Sequence, residues 1–97
     1  MYARVTISLI QPGKFDQAIG LYRDSVVPAA KQQKGFKGLY NLGDRGTGKG
    51  LSIVFWDTEA DMKAGEASGY YQQQLGKFKD LFAAPPVLEH YEVTVQG

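Results

Sequence analysis

Leu51-Ser52-Ile53-Val54-Phe55-Trp56 is a strand with no side to turn to water. Side chains alternate across a strand, so Leu51, Ile53 and Phe55 share one face while Val54 and Trp56 take the other, and both faces are apolar. Such a strand needs cover on two sides. The chain has only 97 residues, which is one domain over residues 1–97 rather than two, and its helical pattern is confined to two stretches. Two helices cover one face of a sheet, so something outside the chain has to cover the other.

The helical stretches follow from spacing. Phe15, Ala18, Ile19, Tyr22 and Val26 recur at helical intervals, with Lys14, Asp16, Gln17, Arg23 and Asp24 on the opposite side. Pro28 lacks an amide hydrogen and its ring meets the carbonyl four residues back, so this helix should kink or restart near Val27 before Gly35 stops it. Thr58 is placed to cap a second helix beginning at Glu59, with Asp61 three residues on. Ser68-Gly69 should interrupt it, and Tyr70, Tyr71, Leu75, Phe78, Leu81 and Phe82 continue the pattern up to Pro85-Pro86.

Strands account for the remainder. Ala3, Val5, Ile7 and Leu9 alternate with Arg4, Thr6 and Ser8, which reads as a strand over about residues 2–10 with the apolar row buried. Phe36–Leu42 and Leu51–Trp56 flank a glycine-rich turn and form a hairpin. Val87–Val95 alternates Tyr91, Val93 and Val95 against His90, Glu92 and Thr94 as a fourth strand. The order strand, helix, strand, strand, helix, strand predicts an α+β, ferredoxin-like β-α-β-β-α-β antiparallel sheet with helices on one side, its first crossover making a parallel pair. The open side would carry Leu51, Ile53 and Phe55, and the economical cover is the same face of a second copy. A homodimer is therefore expected, its interface including Leu51, Ile53, Phe55 and His90.

Several functions are excluded or unsupported by composition. Eleven basic against ten acidic residues, scattered along the chain, give no electrostatic footprint for nucleic acid or anionic lipid. No apolar run approaches the length of a membrane span, and no leader opens the chain, which is expected to be cytoplasmic. The absence of cysteine removes disulfides, thiolate metal sites and a cysteine nucleophile, and a single histidine makes a zinc site of the usual kind unexpected. Gly43-Asp44-Arg45-Gly46-Thr47-Gly48-Lys49 has the spacing of the start of a phosphate-binding loop. Gly50 stands where that motif needs a magnesium-binding hydroxyl, and a strand follows where it needs a helix, so these glycines read as turn residues. His90 with Glu92 could orient a proton shuttle, or form a polar contact at a sheet face. Tyr22, Trp56, Tyr70 and Tyr71 could line a pocket for a flat apolar ligand between sheet and helices, or simply pack the core.

Lys31-Gln32-Gln33-Lys34-Gly35-Phe36-Lys37-Gly38, then Gly50–Ala60 with its terminal Trp56-Asp57-Thr58-Glu59, then Ala67-Ser68 and Glu89-His90-Tyr91-Glu92-Val93, resemble the antibiotic biosynthesis monooxygenase family of dimeric α/β-barrel proteins over nearly the whole chain. The resemblance implies a homodimer whose sheets face each other, a pocket in each subunit between sheet and helices, and oxidation of small aromatic quinol- or polyketide-type substrates by dioxygen without metal or flavin. It carries Trp56 over as a pocket tryptophan, and the pocket expected here comprises Val5, Tyr22, Trp56 and Tyr71. A related branch degrades haem with an asparagine in the first strand and a histidine in the second helical region; Val5 and Leu75 stand there in this chain. The asparagine, tyrosine and arginine of the polyketide oxidases correspond to Ser52, Met62 and Leu75. No catalytic residue is assigned. A non-catalytic dimeric small-molecule-binding or stress-associated protein on the same scaffold is the competing expectation.

Overall fold

The computed structural model describes residues 1–97. Strand β1 (Tyr2–Leu9) leads into helix α1 (Phe15–Leu21), a π-helical turn (Tyr22–Val26) and helix α2 (Val27–Lys31). The hairpin β2 (Phe36–Asp44) and β3 (Lys49–Trp56) follows, then α3 (Glu59–Ala67), α4 (Tyr70–Gly76) and β4 (Val87–Glu92). The strands lie in the order β2-β3-β1-β4. Every neighbouring pair is antiparallel, because β3 inserts between β1 and β2. The parallel pair expected from the first crossover is thus absent; the crossover spans a strand instead of joining adjacent ones.

Local chemistry explains the helix boundaries. Thr58 accepts a hydrogen bond from the Asp61 amide at 3.0 Å, capping α3 as its position predicts. Gly69 adopts a φ of 84° and separates α3 from α4. Pro28 sits in the first turn of α2, where its missing amide hydrogen is harmless, and the π turn lies just ahead of it. Gly35 ends this helical run with a φ of 82°, so close to the Asp61 side chain that a Cβ would collide with it. The second helical stretch is shorter than its spacing suggests: beyond Gly76 the chain is a series of turns, although Phe78 and Leu81 remain buried. Strand β4 likewise ends at Glu92 rather than Val95.

The helices cover one face of the sheet, and that face is the polar side of β1. Arg4 pairs with Val54 and His90, Thr6 with Ser52, and Ser8 with Gly50, all on the covered side. Val5, partnered by Ile53 and Glu89, points the other way. The open face therefore carries Ala3, Val5, Ile7 and Leu9 beside Leu51, Ile53 and Phe55 of β3, with Tyr40, Leu42, Val87 and Tyr91 exposed at its flanks. Tyr40 and Phe55 meet edge to face at 6.5 Å. Under the helices the core divides in two: Ile10, Ala18, Tyr22, Phe78 and Leu81 form one cluster, and Val54, Trp56 and Met62 another. No helix is long and apolar enough to cross a membrane.

Candidate functional site

A cavity of about 550 Å³ lies between the sheet and the helices. Its floor is built by the inward row of β1 (Arg4, Thr6, Ser8) and of β3 (Ser52, Val54, Trp56). Tyr22 enters from the π turn, and Tyr70, Tyr71 and Leu75 from α4. Of the four residues expected in a pocket, Tyr22, Trp56 and Tyr71 line this one, whereas Val5 faces away because strand alternation puts Arg4 and Thr6 inward.

Hydroxyl groups are paired across the cavity. Tyr22 Oη and Ser52 Oγ share a hydrogen bond of 2.7 Å, joining helix to β3, and Thr6 Oγ1 and Tyr71 Oη share another of 2.7 Å, joining β1 to α4. Burial pushes the Tyr22 and Tyr71 phenols up, against the smaller opposing effects of these bonds and of Arg4. Both phenols are therefore neutral near pH 7 and able to donate.

Arg4 is the charged residue on the floor, and only 3% of it is exposed. Its guanidinium carbon lies 4.6 Å from the Tyr71 ring centre and 5.2 Å from that of Trp56. Nη1 donates to the Met62 carbonyl at 3.0 Å and, at 3.5 Å, to Glu66 Oε2. Burial pulls the guanidinium down and Glu66 pushes it back up, but an arginine stays protonated throughout the physiological range. The same Glu66 oxygen is 2.7 Å from His90 Nε2. His90 thus faces the helical side and pairs with α3, which corrects its expected place at the open face; Glu92, two residues on, bonds Tyr2 instead.

Trp56 is 1% exposed, packs edge to face with Phe36 at 6.2 Å, and its indole Nε1 has no acceptor. No Asp, Glu or His is among the lining residues, and no three such side chains converge anywhere as a metal site would require. Sequence reasoning missed Arg4 and Thr6 as site residues. The signal that could have found them is register: Thr6 falls opposite Ser52 and Ser8 opposite Gly50, so one face of the central strands is consistently polar or small.

Solved structures share this architecture. A Bordetella bronchiseptica protein described as an antibiotic biosynthesis monooxygenase superimposes with a TM-score of 0.81 at 19% identity, over 97% of both chains. SnoaB, a cofactor-independent oxygenase from Streptomyces nogalater, gives 0.81 at 11% identity, over 98% of this chain and 94% of its own. The chain has the antibiotic biosynthesis monooxygenase fold. A monooxygenase of the same fold, from the ActVA-Orf6 gene of Streptomyces coelicolor, was solved with nanaomycin D bound; it matches with a TM-score of 0.77 at 14% identity, over 99% of this chain and 88% of its own. No protein-family model and no curated protein sequence matches the chain.

Proposed function

We propose that the protein takes a small flat aromatic molecule into the cavity and oxidises it with dioxygen, as a cofactor-independent monooxygenase acting on a quinol or polyketide-type substrate. The observation that carries this reading is the cavity itself, about 550 Å³ in volume, walled by Tyr22, Trp56 and Tyr71 and furnished with two paired hydroxyl donors. The volume suits a ligand of two or three fused rings. The fold shared with SnoaB and the nanaomycin D-bound monooxygenase supports the same class of chemistry.

In such a reaction the substrate first gives a proton to water and becomes electron-rich. A ring carbon then forms a bond to dioxygen, the resulting peroxide anion takes a proton back from water, and the hydroperoxide loses water as its O–O bond and the adjoining C–H bond break, leaving one oxygen on the substrate as a carbonyl and the other in water. The neutral phenols of Tyr22 and Tyr71 would hydrogen-bond the developing oxyanion, and the helices would keep bulk water from the intermediate. The assembly unit is a homodimer in which Leu51, Ile53 and Phe55 of the open face pack on a second copy; an apolar face of this breadth on a monomer would invite aggregation.

One observation favours a second reading. The cavity wall has no carboxylate or imidazole to act as a general base, as a pure binding protein would allow. Oxygen uptake with a panel of quinols and anthrones separates the two. The oxygenase reading expects turnover by the native protein and a marked loss in Trp56→Phe; tight aromatic binding without oxygen consumption by either would establish the binding protein instead.

A further inference from the structure

Arg4 differs from the other cations at the cavity wall. Arg23 and Arg45 are about two-thirds exposed and paired with Asp24 at 2.9 Å and Asp16 at 2.9 Å. Arg4 is buried, and its charge is only partly answered: both protein acceptors, the Met62 carbonyl and Glu66, engage Nη1. Glu66 is itself divided, its Oε2 lying 2.7 Å from His90 but 3.5 Å from Arg4. No protein group takes up Nη2 or Nε. These two atoms form one edge of the guanidinium, the side-on fork that matches the two oxygens of a carboxylate. Neither atom is fully sealed from solvent, so both can take an acceptor that enters the cavity. The neighbouring Trp56 indole Nε1 is a fully buried donor lacking an acceptor, and the cavity wall offers no anionic group for it or for Arg4.

We propose that the Nε/Nη2 edge of Arg4 anchors the carboxylate of an aromatic acid, whose ring system lies in the cavity against Trp56 and Tyr71. The inference rests on the cavity holding an aromatic ligand and adds to it a ligand class: flat molecules that arrive already carrying a negative charge.

Isothermal titration calorimetry with 2-naphthoate and its neutral isostere 2-naphthamide tests this, with Trp56, the only tryptophan in the chain, reporting cavity occupancy through its fluorescence. The native protein should bind the acid about tenfold or more tightly than the amide, the range expected for hydrogen bonds to a charged group. Arg4→Gln should abolish that preference while keeping amide binding, and Arg4→Lys, which retains charge but not the fork, should restore only part of it. Equal binding of acid and amide by the native protein, or a preference that survives in Arg4→Gln, overturns the proposal while leaving the aromatic cavity intact. Should Arg4→Gln fail to fold, Glu66→Gln decides: releasing Arg4 from its competing carboxylate should tighten naphthoate several-fold and leave naphthamide unmoved, and no such gain overturns the proposal. Failure of both probes to bind defeats the aromatic-cavity reading and this inference with it.

Discussion

Replacing Phe55 by Glu puts a carboxylate in the middle of the open face, beside Ile53 and against the Tyr40 ring. Phe55 is only half-buried in the isolated chain, so an ionised Glu at that position still reaches water in a monomer, and the fold beneath it survives. The effect falls on association. In a two-fold seam the substitution occurs twice, and each unpaired buried carboxylate costs about 3 kcal/mol. The sum, about 6 kcal/mol, raises the dimer Kd by about four orders of magnitude. Light scattering of the native protein should therefore return twice the 10.7 kDa chain mass, and Phe55→Glu should return the chain mass itself at micromolar concentration. Lys31→Glu, an exposed position at the end of α2 on the helical side, serves as the charge control and should remain dimeric. The near-ultraviolet signal of Trp56, buried on the opposite side of the sheet, reports whether the monomer is still folded. A native monomer, or a Phe55→Glu variant that stays a dimer, refutes the argument from the open face.

Other positions give equally direct outcomes. Trp56→Ala empties a site that is 1% exposed and removes the edge-to-face pair with Phe36, so it should destabilise the protein by about 3–5 kcal/mol. For a domain of this size that lowers Tm by more than about 10 °C, readable by scanning calorimetry. Tyr22→Phe deletes one partner of the 2.7 Å bond to Ser52 and should cost about 1 kcal/mol in denaturant titration; adding Ser52→Ala should cost little more, because the bond is already gone. Burial raises the Tyr22 and Tyr71 phenols above the usual 10.0, so the folded state holds their protons more tightly than the unfolded state does. Their contribution to stability is complete below pH 10 and is lost as the pH climbs through the raised values. Absorbance at the phenolate band should show Tyr22 and Tyr71 ionising only together with alkaline unfolding.

Much of this architecture is legible in the residues. The spacing from Phe15 to Val26, the Thr58 cap, the break at Ser68-Gly69 and the two-faced strand ending in Trp56 each declare a local structure that the chain adopts. Periodicity, however, states which residues share a face and not which face is covered. Ala3, Val5, Ile7 and Leu9 look like a core row, yet they lie on the open side while Arg4, Thr6 and Ser8 point under the helices. That inversion displaced Val5 from the pocket, and His90 moved with it, because its strand position opposite Arg4 is a matter of pairing between distant segments. The cavity could not be read either, since the hydroxyl pairs that frame it join residues 30 and 65 positions apart.

The π turn has a geometric consequence for the helix that carries Tyr22. Tyr22 and Ala30 are both buried against the sheet and are eight residues apart, whereas two regular α-helical turns span only about 7.2. The wider coil over Tyr22–Val26 absorbs the surplus, so both side chains come to rest on the same line. Deleting any one residue from Arg23 to Val26 would let the rod wind evenly and leave the two positions seven apart, close to two full turns, so Ala30 would still lie under the rod; it is the added residue that the wide turn takes up. An irregularity in the backbone thus keeps the two ends of one cylinder in phase.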